Sequence, residues 1–240
     1  ASALTHLVIL VVIPWVLSLG GCVEAYRVPK GSGNPVVAMV KMVKPKKKKK
    51  KTLSLRPNSA IIFETPELDH TEVDEMIARC VKTKKTLIAT FNSDCLKLAD
   101  CVVVDVQCDY TKRDLGNMRT GQVEMAALEA TLRTIGDRVP PECLTLIETT
   151  VAPGTTEFVA WPILKKAFKA RGINSEPLLA HSFERVMPGR HYVSSIRDFW
   201  RVCSGCNAQA RKRVETFLHE VLNTDDYPLT VMDRPIESET

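Results

Sequence analysis

Two stretches of this 240-residue chain put polar side chains where a short apolar run ends and a turn begins. The first is Leu144-Thr-Leu-Ile-Glu-Thr-Thr-Val-Ala-Pro-Gly-Thr-Thr-Glu157: Glu148, Thr149 and Thr150 follow the apolar run, and a Pro153-Gly154 break precedes a helix start at Thr155, Thr156 and Glu157. The second is Leu178-Leu-Ala-His-Ser-Phe-Glu-Arg-Val-Met-Pro-Gly189, where Glu184 and Arg185 follow a similar run. A carboxylate beside hydroxyls, and a carboxylate beside a guanidinium, are groups of acid-base and hydrogen-bonding chemistry. Each also has an ordinary structural use. Threonine and glutamate cap helices, and this is the reading taken for Thr155 to Glu157. Glu184 and Arg185 can form an ion pair, and His181, alone at a strand end, reads as a satisfied structural histidine. Cys203-Ser-Gly-Cys206 is the only CxxC, and without a second pair of ligands it reads as a buried strand end rather than a metal or redox site.

These turns are placed by an alternation of strand and helix. Strands are expected at Thr86 to Thr90, at Cys101 to Val106, at Leu144, at Leu178, at Phe199 to Cys203 and at Leu229 to Met232. Cys101 to Val106 is a β-branched run of the kind buried on both faces of a parallel sheet, and it ends in the polar turn Gln107-Cys108-Asp109-Tyr110. Helices are expected over Glu67 to Lys82, from Ser93-Asp94 through Leu98, over Met118 to Ile135, over Thr156 to Ala170 and over Ala208 to Leu222. The last of these should turn Val214, Phe217, Leu218 and Val221 inward. The fold class expected is α/β, a doubly wound and mostly parallel sheet with helices on both faces. In such sheets ligands bind outside the carboxyl ends of the strands, where both polar turns lie.

Hydrophobic content of 45% and charged content of 25% are ordinary for a globular domain. The net charge of +5 is local, because Lys46 to Lys51 supply the excess and the remaining chain is close to neutral. With 6% aromatic residues and no distributed basic face, no specific nucleic-acid partner is expected. The lysine run reads as a solvated loop, with anionic lipid or phosphate as the alternatives. The eight cysteines lie mostly inside apolar runs, the usage of a reducing compartment, and a cytoplasmic location is expected.

Leu4 to Val23 admits three readings: a membrane span interrupted by Pro14, a secretory signal ending in Leu19-Gly-Gly-Cys22, or a first strand over Leu7 to Val12 with a turn at Pro14 and a helix to about Gly21. The third is favoured, so membrane contact is open but not expected. A strand near Ala25 to Val28 and another within Pro35 to Val43 would follow. Residues 1–60 then form an atypical first βαβ region with a lysine-rich loop, and residues 61–240 the remainder of one domain.

Glu148-Thr-Thr-Val-Ala-Pro-Gly-Thr-Thr-Glu157, followed by Ser182-Phe-Glu-Arg-Val-Met-Pro-Gly189, resembles the nucleotide-sugar dehydrogenase family, the UDP-glucose and GDP-mannose dehydrogenases. The resemblance runs from about Glu67 to Thr240 and covers the later part of the family's amino-terminal, NAD-binding, Rossmann-like domain. It implies NAD as cofactor, held by Val106, Gln107, Glu148, Thr149 and Thr150, with Thr150 beside the reacting carbon. It also implies a nucleotide-sugar substrate met by Glu184 and Arg185, Glu184 assisting hydrolysis of a thioester; a homo-oligomer is left open. Phe183 stands where many members have proline. The family's first turn carries Gly-x-Gly-x-x-Gly, whereas this chain has Val12-Ile-Pro-Trp-Val-Leu-Ser-Leu19, so NAD binding is expected to be weak. The catalytic cysteine and the linking helix of the family would lie beyond Glu237-Ser-Glu-Thr240. The chain alone is therefore expected to lack a nucleophile, and a degenerate nucleotide-binding or interaction module is the alternative reading.

Overall fold

The computed structural model describes residues 7–13, 36–41, 75, 78–83, 87–90, 92–106, 108, 110–112, 121–185 and 192–240. The proposed turn at Pro14, the helix to Gly21, the lysine run, Gln107 and most of the helix expected over Glu67 to Lys82 lie outside them. Within that last range, Arg79–Thr83 forms a short π-helical turn.

The strands are β1 (Leu7–Ile13), β2 (Val36–Lys41), β3 (Leu87–Thr90), β4 (Cys101–Val106), β5 (Tyr110–Lys112), β6 (Gly121–Val123), β7 (Leu144–Ile147), β8 (Leu178–His181), β9 (Val202–Gly205) and β10 (Thr230–Val231). The helices are α1 (Ala126–Gly136), α2 (Trp161–Ala170), α3 (Tyr192–Arg197), α4 (Ala208–Val221) and α5 (Pro235–Ser238). Among the described residues, eight strands form one sheet in the order β10-β9-β8-β7-β4-β1-β2-β3. Pairing from β3 through to β8 is parallel. The chain order therefore reverses between β1 and β4, the switch point at which doubly wound sheets receive ligands.

The alternation along β4 explains why the sheet is covered on both sides. Val102, Val104 and Val106 pack with Leu128, Leu132 and Ile135 of α1 and with Leu164 and Phe168 of α2. Cys101 and Val103 face the other way and pack with Ala210, Val214 and Leu218 of α4. Each fully buried aliphatic side chain contributes about 1.5–3 kcal/mol relative to exposure, so no half of this core is dispensable.

Four expectations are corrected. The helix expected from Met118 begins only at Ala126, because Gly121 to Val123 pairs antiparallel with Tyr110 to Lys112 as the β5–β6 hairpin. Val221, expected inward on α4, is half exposed, while Ala210 takes the buried position one turn from Val214. The strand expected to start at Phe199 starts at Val202 and runs antiparallel to β8, with His181 opposite Ser204. The 3-10 helix Ser93–Leu98 is capped by the Asn92 side chain, which accepts from the Asp94 amide, rather than by Ser93 or Asp94.

After β9 the chain turns at once into α4, with Asn207 Oδ1 accepting from the Ala210 amide at 2.8 Å. A Cβ on Gly205 would stand 2.3 Å from the Arg211 backbone nitrogen, so strand and helix approach at a distance only glycine permits. Gly205→Ala is expected to lower stability by roughly 2–3 kcal/mol, the range of an overpacked core, read as a drop in the urea midpoint. An unchanged midpoint would mean that the two elements are not in this contact.

Candidate functional site

The carboxyl ends of β7 and β8 lie side by side, so the two polar turns adjoin. Three backbone bonds carry the ladder past the strands: the Glu148 amide donates to Val104 O at 3.0 Å, the Ser182 amide to Ile147 O at 3.0 Å, and the Glu184 amide to Glu148 O at 2.9 Å. The last bond joins one candidate turn to the other. Thr149 is buried, at 8% exposure, and Thr150 is exposed. Val106 is fully buried at the end of β4, so only its backbone can face a ligand.

Arg201 was not found by sequence reasoning, and it stands at the centre of this edge. It is 2% exposed. Its Nη1 donates to Phe183 O at 2.5 Å and lies 3.7 Å from Glu148 Oε1. Because β9 is antiparallel to β8, the residues just before β9 sit at the same sheet edge as the residues just after β8. Arg201 read as part of a parallel strand would have lain at the opposite end. The one signal in the sequence was an arginine set against an apolar run, Arg201-Val-Cys203.

Three carboxylates act on one another here: Asp105 on β4, Glu148 after β7 and Glu184 after β8. Burial pushes Glu148 up to about 7, Arg201 opposes that rise, and Asp105 and Glu184 add to it. Burial also raises Asp105, with Glu184 contributing. Burial disfavours the Arg201 charge, and Glu148 and Glu184 offset this. Arg185 does not simply extend into solvent; its guanidinium stacks over Phe183 at 5.2 Å and over Phe199 at 4.7 Å from the ring centroids. Phe183 thereby helps to hold the arginine.

His181 is buried and its Nδ1 lies 2.8 Å from Ser238 Oγ, which in turn lies 2.6 Å from Ser204 Oγ. Burial holds the ring neutral, with a pKa lowered to about 4, while the Thr149 backbone partly favours the proton. Nδ1 is satisfied by Ser238, whereas the buried Nε2 has no hydrogen-bond partner, so the expected satisfied structural histidine is met at one ring nitrogen only.

The Pro153-Gly154 turn has φ of 90° at Gly154, a left-handed backbone that suits glycine. The helix start that follows is not capped locally as expected. Glu239, beyond α5, accepts from the Gly154 amide at 2.5 Å and the Thr156 amide at 2.7 Å, while Glu157 pairs with Arg234 at 3.0 Å. A carboxylate at a helix amino terminus satisfies amides that the helix leaves open.

Among the described residues no cluster could hold a metal ion. None of the described cysteines forms a disulfide, and burial pushes Cys143, Cys203 and Cys206 up to about 12 and Cys101 well above its ordinary value. Thiols so placed are poor nucleophiles. No helix among the described residues is long and apolar enough to cross a membrane.

The titrations of Glu148 and His181 have opposite effects on stability. Between about pH 4.5 and 7 the folded chain keeps a proton on Glu148 that the unfolded chain releases, so this contribution falls as pH rises and is gone above 7. Between about pH 6.5 and 4 the unfolded chain binds a proton that His181 refuses in the fold, so stability falls as pH falls. Above pH 6.5 only the first effect remains. Because Glu148→Gln fixes the neutral form, its thermal midpoint minus that of wild type should be a few degrees higher at pH 8 than at pH 5. The same offset at both values would place Glu148 in an ordinary, solvated titration.

No family model matches the chain. It is similar to a UDP-N-acetyl-D-glucosamine 6-dehydrogenase of Pseudomonas aeruginosa, 28% identical over 150 residues, which is 62% of this chain and 33% of that protein. It is also similar to a UDP-N-acetyl-D-mannosamine dehydrogenase of Pyrococcus horikoshii, 30% identical over 92 residues, 38% of this chain and 21% of that protein. In fold it is similar to the crystal structure of an NDP-N-acetyl-D-galactosaminuronic acid dehydrogenase from Methanosarcina mazei Go1, with a TM-score of 0.68 and 21% identity over 98% of this chain and 46% of that one. The matches span a third or less of these two curated relatives and less than half of that structure. The neighbours of this chain, in sequence and in fold, are nucleotide-sugar dehydrogenases, each matched over part of its length.

Proposed function

We propose that this chain is the NAD-binding domain of a nucleotide-sugar 6-dehydrogenase, which oxidises the C6 hydroxyl of a UDP- or GDP-sugar to the carboxylate. The observation that carries the reading is the adjacency of the Glu148–Thr150 and Phe183–Arg185 turns, one strand from the switch point between β1 and β4. Val106, Gln107, Glu148, Thr149 and Thr150 are assigned to the cofactor. Of the two threonines, exposed Thr150 is the one whose hydroxyl can reach a ligand. Glu184 and Arg185 are assigned to the sugar substrate, and Thr150 and Glu184 to catalysis.

The charges at this edge fit one end of NAD and not the other. Above about pH 7, where Glu148 is ionised, three carboxylates against Arg201 and Arg185 leave a negative surplus. That suits an oxidised nicotinamide ring, which carries a positive charge, and repels a phosphate. The pyrophosphate therefore needs amide donors elsewhere, and in this fold the turn after β1 supplies them. Here β1 ends at Ile13 and Pro14 follows, a residue with no N–H to give. That observation favours a second reading, a degenerate module that no longer binds NAD. The placement of cysteines mostly inside apolar runs supports a reducing, cytoplasmic compartment.

Calorimetric titration of the chain separates the two readings. Millimolar affinity for NAD is expected, with the affinity reduced by Thr150→Val. No heat at millimolar NAD would favour the degenerate module, and micromolar affinity would mean that the turn after β1 supplies more donors than its sequence suggests. With NAD and a panel of UDP- and GDP-sugars, this polypeptide is expected to form no NADH above background, because its described buried cysteines are unreactive thiols. Turnover would show that the chain carries a nucleophile among its other residues or needs none.

A further inference from the structure

We infer that Arg201 is a positioning residue for both candidate turns: its guanidinium fixes the Glu148 carboxylate against the Phe183 carbonyl and thereby sets the charge that the edge presents. Its functional meaning rests on the proposal that this edge receives a cofactor and a sugar.

The geometry allows few alternatives. Arg201 lies in the connection between α3 and β9, while its two partners lie after β7 and after β8, so one side chain spans three segments distant in sequence. The same nitrogen serves both contacts, at 2.5 Å and 3.7 Å. The buried Nε has no hydrogen-bond partner, so the two contacts seen for the charge are both made by Nη1. A guanidinium 98% removed from solvent is retained only where its partners repay the desolvation. The ionisable groups that face the pair come from every neighbouring element: Asp105 from β4, Glu184 and Arg185 from the turn after β8, and Glu148 itself from the turn after β7. Cys101, deeper along β4, feels Glu148 as well but keeps its proton. Arg201 is therefore the one cation that touches Glu148 among the described residues. The backbone bond from the Glu184 amide to Glu148 O runs beside it, so the separation of the two turns and the ionisation of Glu148 depend on one side chain.

The test is a carboxyl-carbon NMR titration of Glu148 together with amide hydrogen exchange at Glu184, in the unliganded chain, comparing wild type with Arg201→Lys and Arg201→Gln. Arg201→Gln removes the charge, and the Glu148 midpoint should rise by about one pH unit, a tenfold fall in its acid dissociation constant. Arg201→Lys keeps the charge but not the planar fork. Its Glu148 midpoint should stay near the wild-type value, while the Glu184 amide should exchange at least tenfold faster. A purely structural role would destabilise both variants alike and leave the midpoint unmoved, and that result would overturn the inference. Should neither variant fold, the wild-type chain still decides. Slowly exchanging Arg201 guanidinium protons and a Glu148 midpoint near neutrality are expected. Exchange as fast as that of exposed Arg133, or an ordinary Glu148 midpoint, would overturn the inference. No readout here uses a ligand, so absence of NAD binding would remove the proposed function and leave the role of Arg201 standing.

Discussion

The buried Arg201 guanidinium is the interaction on which the candidate site depends. Desolvating such a group costs several kcal/mol, and the cost is offset only by partners with defined geometry. Here the partners are a carboxylate and a carbonyl on adjacent strand ends. The arrangement constrains the fold in return. β8 must lie next to β7 for the Phe183 carbonyl and Glu148 to be neighbours, and β9 must run against β8 for Arg201 to reach them. Gly205 then lets α4 lie on β9 without pushing it away from that edge.

Much of this could be read from residue order, because parallel strands buried on two faces have a distinct composition. Cys101 to Val106 is the clearest instance, with alternate valines committed to opposite helical layers. The two polar turns were equally plain, since each follows four residues that are all buried and opens with polar side chains. What could not be read was direction. A short strand such as Val202 to Gly205 carries the same pattern whether it runs parallel or antiparallel, and only the reversal puts Arg201 at the candidate edge. The hairpin at Tyr110 to Val123 escaped for a related reason. Its Ala-rich continuation, Ala126 to Ala130, has helical spacing that extrapolates backwards across Gly121 into residues that pair as strand. The cap on the helix start after Gly154 was hidden because its carboxylate comes from Glu239, more than 80 positions away.

The chain's final segment ties into the same region through side chains rather than through the sheet. Arg234 holds Glu157, Ser238 bridges His181 and Ser204, and Glu239 closes the helix start. Each contact ends near the turn that carries Glu148 to Thr150. His181 is thus useful without doing chemistry: neutral, buried and hydrogen-bonded, it transmits the position of α5 to the end of β8. Cys101, Cys143 and Cys203 make the complementary point, since these thiols, able in principle to act as nucleophiles, are held as protonated core groups by burial.

The central claim is that a cofactor meets the chain at the joined carboxyl ends of β7 and β8. Hydrogen-deuterium exchange of the chain with and without millimolar NAD locates that contact directly. The account predicts slowed exchange in peptides spanning residues 148–150 and 182–185, with no change along the opposite end of the sheet at Asp100 and Glu142. Slowed exchange confined to that opposite end, or binding that leaves both turns unchanged, would contradict it.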